Sequence, residues 1–531
     1  MSIDRRDFLT IAGAGAVAML ARTASAQSEP ELEELTLMQL RNELRGGGFT
    51  ARSLTEAYLR RIDALDKNGP AINAILELNP DALQIADMLD RERKEKGERG
   101  PLHGIPVLIK DNIDTYDRMH TSAGSLALAE SIAPRDSTVA RRLRDAGAII
   151  LGKTNLSEWA NFRSTHSTSG WSGRGGLTRN PYVLDRNACG SSSGTGAGIA
   201  ANLAAVGVGT ETDGSVVCPS SASGLVGIKP TLGLISRAGI VPISHSQDTA
   251  GPMCRTVADA AILLGALVGP DDLDPITNSS LGHLRTDYTQ YLKEDGLRGA
   301  RIGVARKYFG FNDATDELMA RAVETIKRLG ATVIDPADIV TSGKFDDSEQ
   351  QVLLYEFKAD LNHYLATLRS NVTTRTLADL IQFNEAHRDT EMPYFGQELF
   401  LQAEKKGPLT EAAYKKALAS NHRLARTEGI DATLAKHKLD AIIAPTGGPV
   451  WTTDLVNGDH FTGGYSSASA VAGYPHITVP AGQVFGLPVG LSFFAGAWSE
   501  PKLIKYAYAF EQAARGRQKP RFLATLHFAH V

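Results

Sequence analysis

Two short stretches dense in glycine and serine, CGSSSGTGAG (189–198) and GTETDGSVVCP (209–219), lie hard against apolar chain. The first runs without a break into IAANLAAVGVG, which reads as buried helix or strand. Flexible linkers do not normally plunge straight into a core. Glycines so placed instead let backbone N–H groups come close to a ligand. Two ligands suit such a loop: a phosphate, or the oxyanion of an acyl-transfer intermediate. A phosphate loop would read G-x-x-x-x-G-K-[ST], and no lysine follows these glycines. Acyl transfer needs a nucleophilic serine and a base. A lysine can be that base if desolvation lowers its pKa from ~10.4.

The chain around these stretches alternates between helical and strand periodicity. SLTEAYLRRIDALDK places Leu54, Tyr58, Leu59 and Ile62 near one helical face, with Thr50 or Ser53 as its cap. DALQIADMLDRERKEKGERG reads as a second helix ending in a solvated charge run. IPVLIKD (105–111) is a short apolar strand carrying a lysine at its end. STVARRLRDAGAIILGKTNLSEWANF reads as helix, strand, helix, with Ala148 to Leu151 as the buried strand. TVADAAILLGALVG and ELMARAVETIKRLG read as helices, and GARIGVAR, ATVID, LDAIIAP and HITVPAG as strands. The stretch from Asp271 to Leu297 lacks strong periodicity and reads as a surface excursion. Strands alternating with helices imply a layered α/β domain with helices on both faces of a sheet. No repeat or linker divides it, so one large domain is expected.

Composition narrows the class. Hydrophobic residues at 42% and charged residues at 22% suit a globular protein with a sizeable core. A formal charge of −4 offers no electrostatic basis for binding nucleic acid or an anionic membrane. Cys189, Cys218 and Cys254 can form one bridge at most; export would allow one between Cys189 and Cys218, and small buried thiols are the simpler expectation for that pair. Neither C-x-x-C nor H-E-x-x-H spacing occurs, so no metal or other cofactor is expected.

Residues 1–26 read as an address, and 27–531 as the domain. Arg5-Arg6 and Phe8-Leu9 precede an apolar run from Ile11 to Ala21, which ends at Ala24-Ser25-Ala26. This is the layout of a twin-arginine signal peptide, cleaved near Ala26. The run is too short for a membrane span, which takes roughly 20 apolar residues, so no stable membrane anchor is expected. The twin-arginine export machinery becomes an expected partner, and the bacterial periplasm the expected location of the folded protein.

From about Leu35 to its end the chain resembles the amidase signature enzymes. GIPVLIKDNID is similar to that family's lysine strand, CGSSSGTGAGIA to its glycine-serine signature and GTETDGSVVCP to its nucleophile loop. GKTNLSEWA, GLVGIKPTLGLIS and QDTAGPM follow in the family's order. The resemblance implies an amidase signature fold, a large mixed twisted β-sheet covered by helices on both faces. It assigns the catalytic lysine to Lys110, the bridging serine to Ser191 and the nucleophile to Ser215, 24 residues further on. It further implies a cis peptide at Gly190–Ser191, a buttressing Ser192, and an oxyanion hole of Thr212, Asp213, Gly214 and Ser215. Neutral Lys110 would take a proton from Ser191, which takes one from Ser215 as Ser215 attacks the carbonyl.

Competing residues have plainer readings. Lys153 in GKTN sits past the expected strand end and reads as structural. His120, His166 and His245 lack a nucleophile-elbow context and read as loop or pocket residues. The chain also departs from the family: Asp213 stands where glycine is frequent, Val217 where arginine is, and Cys189 where glycine is common. A carboxylate aimed into an oxyanion hole raises the barrier, so Asp213 must point away or be held by donors. TETDGSVVCP and MPYFGQELFLQA (392–403) are similar to the peptide amidases within the family, which implies a small-molecule or short peptide amide as substrate. The alternatives are an aryl acylamidase or esterase, a silent binding protein on the same fold, and a component of a transamidation complex. The last conflicts with the export signal, since transfer RNA is not periplasmic.

Overall fold

The lysine strand is buried from end to end, and the rest of the architecture is arranged around it. In the computed structural model, which describes residues 32–526, PVLIK (Pro106–Lys110, β2) has no exposed residue. A strand buried on both faces reads as a continuous apolar run and belongs in the middle of a sheet. Its neighbours are equally buried: β3 (Ile149–Thr154) and β6 (Val206–Glu211) both pair with it in parallel.

Among the described residues the sheet has eleven strands. β1 (Ile75–Leu78) lies outside β3, antiparallel to it. A small separate hairpin pairs β4 (Trp171–Ser172) with β5 (Gly176–Leu177). Beyond β6 the main sheet turns antiparallel through β8 (Thr249–Cys254), β7 (Val226–Lys229), β12 (His476–Val484) and β13 (Leu487–Phe494). It continues through β11 (Ala441–Pro445) and returns to parallel pairing at β9 (Arg301–Val304) and β10 (Thr332–Ile334). The sheet is mixed, and helices pack on both its faces.

The glycines of β6 follow from packing. The helix Ser193–Ala200 lies directly on this strand. A methyl group at Gly207 would fall 2.6 Å from Thr195 Cγ2, and one at Gly209 2.7 Å from Ser192 Oγ. The sequence alternates Val and Gly because one face of the strand is in backbone-close contact with the serine-rich helix. The apolar run after the first glycine-serine stretch is thus a buried helix followed by a buried strand.

Several expected elements are present with adjusted ends. Thr50, rather than Ser53, caps the helix Ala51–Ile62, and Ser53 returns the bond in a capping box. The helices expected at DALQIADMLDRERKEK, TVADAAILLGALVG and ELMARAVETIKRLG run over Ala82–Lys96, Val257–Leu267 and Asp313–Arg328. The helix expected over SEWANF is instead an irregular turn, Glu158–Asn161, in which Trp159, Ala160 and Asn161 all have positive φ. Asp271–Leu297 forms short 3₁₀ turns around the buried Tyr288. The variable stretch beyond residue 340 contributes the long helix Asp346–Thr367, whose Phe357, Leu361 and Leu365 share a core with Trp159, Phe162 and Phe400. The described residues include no helix long and apolar enough to cross a membrane. Residues 1–26, read above as a signal, lie outside the described part.

Candidate active site

Lys110 ends β2 with its side chain fully buried. Its Nζ lies 2.7 Å from Ser191 Oγ, 2.9 Å from Thr210 Oγ1 and 3.3 Å from the Thr210 carbonyl. Parallel pairing of β2 with β6 puts Thr210 there, one strand over. Asn112 Nδ2 donates to the same Thr210 hydroxyl at 2.9 Å. Burial brings the Lys110 ammonium down to about 7, against the opposing pull of the Asp248 and Glu211 carboxylates. A lysine at that value is substantially neutral at neutral pH and can accept a proton.

Ser191 enters by an unusual backbone route. The Gly190–Ser191 peptide bond is cis, and Cys189 before it has a φ of 54°. Ser192 ties the turn to its surroundings: its hydroxyl donates to the Thr210 carbonyl (3.1 Å) and accepts from the Thr210 N–H (3.2 Å). Its backbone N–H donates to the Ser215 carbonyl at 3.2 Å. Two serine-bearing segments that are far apart in sequence therefore touch.

Ser215 lies in the turn between β6 and the short helix Val217–Ala222. Glu211 shapes this turn: its Oε2 accepts from the N–H groups of Val216 (2.8 Å) and Val217 (3.0 Å). Gly214 adopts a left-handed φ of 78°, where a side chain would be strained. The consequence is chemical. Among the described residues the N–H groups of Thr212, Asp213, Gly214 and Ser215 find no hydrogen-bond acceptor. Successive unpaired N–H groups in a turn form an anion-binding concavity. Ser191 and Ser215 do not hydrogen-bond to each other directly, and Ser215 is 7% exposed.

Asp213 lies beside this turn, and its Oδ1 is buried with no hydrogen-bond partner among the described residues. Burial pushes its pKa up, and the nearby Ser466 and Ser467 hydroxyls oppose that shift. A carboxyl shifted toward its neutral form is a smaller threat to negative charge developing nearby. Thr212 is fixed by Asp248, whose Oδ1 accepts its hydroxyl at 2.6 Å, and burial raises that carboxyl to about 6. Gln247 Nε2 adds a bond to Glu349 at 2.9 Å.

A cavity of about 520 Å³ opens against the ends of β6 and β8, with Asn112, Ala160, Thr210, Thr212, Ile243 and Tyr364 in its walls. His245 is on its rim, with Nδ1 2.9 Å from Asp360 and Nε2 3.3 Å from Glu356. Both ring nitrogens face carboxylates. His120 pairs with Glu77 and His166 faces Glu398.

Two expectations need correction. Cys189 and Cys218 form a disulfide rather than two thiols. The contact between Ser192 and Ser215 draws their flanking segments together, and the two Cα atoms are 6.0 Å apart, within the usual reach of a bridge. Cys254 remains a buried free thiol. Lys153 does not sit past a strand end, because β3 continues to Thr154. Its Nζ donates to the Ile113 carbonyl (2.6 Å) and Thr121 Oγ1 (2.9 Å), so it braces the loop after the lysine strand. Residues that the motifs contained but did not single out are Asn112, Thr210, Glu211 and Asp248. For Asn112, Thr210 and Glu211 the only cue was their place beside Lys110 and Ser215 in those motifs, and for Asp248 its place in QDTAGPM.

The model of the family described as Amidase matches residues 53–504. A probable amidase of Arabidopsis thaliana is 44% identical over 502 residues, covering 93% of this chain and 92% of its own. Among solved structures, the native peptide amidase of Stenotrophomonas maltophilia superposes with a TM-score of 0.88 at 52% identity, covering 92% of this chain and 99% of that one. An amidase family protein of Bacillus anthracis superposes with a TM-score of 0.85 at 36% identity, covering 93% of each chain.

Proposed function

The chain belongs to the amidase family and hydrolyses amide C–N bonds, and from that premise we propose a serine amidase with Ser215 as nucleophile, Ser191 as proton bridge and Lys110 as base. The observation that carries this reading is the 2.7 Å contact between a fully buried Lys110 and Ser191.

The steps follow from the geometry. As Ser215 Oγ attacks the carbonyl carbon, its proton goes to Ser191 Oγ, and the Ser191 proton goes to Lys110. The carbonyl oxygen becomes an oxyanion, facing the N–H groups of Thr212 to Ser215. Each such donor is worth roughly 3–4 kcal/mol of barrier. When the C–N bond breaks, Ser191 protonates the departing nitrogen and regains a proton from Lys110. Water then attacks the acyl-enzyme by the same relay and releases the carboxylic acid and free Ser215. Proton transfer requires Ser215 Oγ to come within hydrogen-bond reach of Ser191 Oγ. Catalytic hydrogen bonds often tighten only in the complex.

The proposed substrates are short peptides with an amidated C-terminus, and the leaving group is ammonia. Support comes from the 52% identity to a peptide amidase over 92% of the chain. Incubation of an amidated dipeptide followed by chromatography tests this. Conversion to the free acid with internal bonds intact is expected. Fast cleavage of anilides with no action on peptide amides would assign an aryl acylamidase instead.

Export by the twin-arginine route to the periplasm completes the proposal. The Cys189–Cys218 disulfide fits an oxidising compartment. Changing Arg5-Arg6 to Lys-Lys should retain folded, active protein in the cytoplasm, and unchanged export on fractionation would remove this assignment.

A further inference from the structure

The Cys189–Cys218 bridge closes a ring of chain that contains both Ser191 and Ser215, and it is attached two residues before the one and three residues after the other. Resting on the triad reading above, we propose that this bridge is a positioning device. It holds the bridging serine and the nucleophile in register for proton transfer, beyond any contribution to global stability.

Three observations support this. First, the non-covalent ties between the two serine turns are few. Ser192 N–H donates to the Ser215 carbonyl at 3.2 Å, and Asn180 Nδ2 reaches both the Asn187 and Ala222 carbonyls at 3.2 and 3.1 Å. Ser191 and Ser215 make no hydrogen bond of their own to fix their separation.

Second, both ends of the bridge are anchored locally. Cys189 N–H donates to Asn187 Oδ1 (2.7 Å), and its carbonyl accepts from Ser193 Oγ (2.5 Å). Cys218 N–H donates to the Gly214 carbonyl (2.8 Å), so the second sulfur is fastened to the turn that presents the four free N–H groups. A displacement of either sulfur is passed directly to a serine-bearing turn.

Third, the two serines rest on different supports, joined non-covalently through the bonds of Ser192 to Thr210 on β6. Ser191 is held by Lys110 at the end of β2, whereas Ser215 is carried by the turn that leaves β6. The bridge is the covalent cross-connection between these two supports. Misplacement of reacting groups by about 1 Å can cost on the order of a hundred-fold in rate. A tie at this position therefore acts on the chemical step.

Cys218 is only partly buried and lines a small cleft together with Gly447, Val450, Trp451 and Phe461. A dithiol reductant supplies two electrons and two protons, converting the S–S bond to two thiols while forming its own disulfide.

The test compares the Cys189→Ser/Cys218→Ser double variant with the native enzyme, well below the melting temperature of each and with folding checked by circular dichroism. Steady-state kinetics on a peptide amide and on an activated ester are read side by side. The ester's leaving group needs no proton from Ser191, so it reports on nucleophile and oxyanion site more than on the relay. Expected is a fall in kcat for the amide of about ten- to a hundred-fold, KM within about three-fold, and a clearly smaller loss on the ester. Dithiothreitol should produce the same selective loss in the native enzyme, reversed on reoxidation, and should leave the double variant unchanged. This second arm decides the matter if the double variant fails to fold. Unchanged amide kcat in folded or reduced protein overturns the inference, as do equal losses on amide and ester that track unfolding. A Ser215→Ala control separates the two layers: if it remains active, the triad reading itself fails. If it is inactive while the bridge-free enzyme turns over normally, only the positioning role falls.

Discussion

The Nζ of Lys110 and the Oγ of Ser191 lie 2.7 Å apart in a fully buried pocket, on segments separated by 81 residues. In the proposed relay that pair makes the strand-end lysine the base. Desolvation disfavours its ammonium form, and the hydroxyl opposite gives the neutral amine something to deprotonate.

The pH dependence follows. Lys110 is held at about 7, and only its neutral form can accept the Ser191 proton. Hydrolysis of an amide should therefore rise with pH through this value, and fall about ten-fold per pH unit below it. The charged Asp248 carboxylate opposes the downward shift of Lys110. Asp248→Asn should thus move the acid limb to lower pH, whatever it does to the absolute rate through loss of the Thr212 bond. A kcat/KM profile of both proteins checks the sign, and a limb that moves upward contradicts it.

Lys110→Ala, Ser191→Ala and Ser215→Ala should each leave a folded protein with amide turnover reduced by ~10³-fold or more. Because the three groups move one proton in sequence, a Lys110→Ala/Ser215→Ala double variant should be little worse than either single one. Ser191→Ala should regain part of its activity on activated esters. Multiplicative losses in the double variant would mean that the groups act independently.

Gly209→Ala tests why the strand beside the lysine alternates with glycine. An added methyl would lie 2.7 Å from Ser192 Oγ and 2.7 Å from Met253 Sδ, in a layer with no room to yield. Overpacking of this kind costs typically 1–3 kcal/mol. Denaturant melts should show that loss, and activity should fall as well, because Ser192 is the residue displaced. A variant as stable and active as the parent would mean that the helix and strand are not in close contact.

Lys110, Ser191 and Ser215 were readable because backbone-close loops demand glycine and serine in runs that leave a trace in sequence. The partners of Lys110 were not readable. Thr210 acts through the parallel register of β2 and β6, and that register is a property of the assembled sheet. Asp248 was visible within QDTAGPM but carried no sign that it reaches Thr212, 36 residues away. The bridge between Cys189 and Cys218 was weighed but not preferred for a related reason: a spacing of 29 residues says nothing about distance until the two serine turns are seen to touch. SEWANF has apolar residues and good helix formers, yet tertiary contacts impose left-handed backbone at Trp159, Ala160 and Asn161, which periodicity cannot reveal. The two long antiparallel strands inside the sheet were half legible. HITVPAG pointed to β12, while LPVGLSFF of β13, interrupted by proline and glycine, did not stand out.

The central claim is that Ser215 carries the acyl group. The most direct measurement is peptide mapping by mass spectrometry after rapid acid quench of the enzyme with an activated ester whose acyl-enzyme turns over slowly. One acyl group per chain is predicted, on the peptide containing Ser215, absent in Ser215→Ala and accumulating more slowly in Lys110→Ala. An adduct on Ser191 or on any other residue, or full turnover with no adduct at any quench time, would contradict the account.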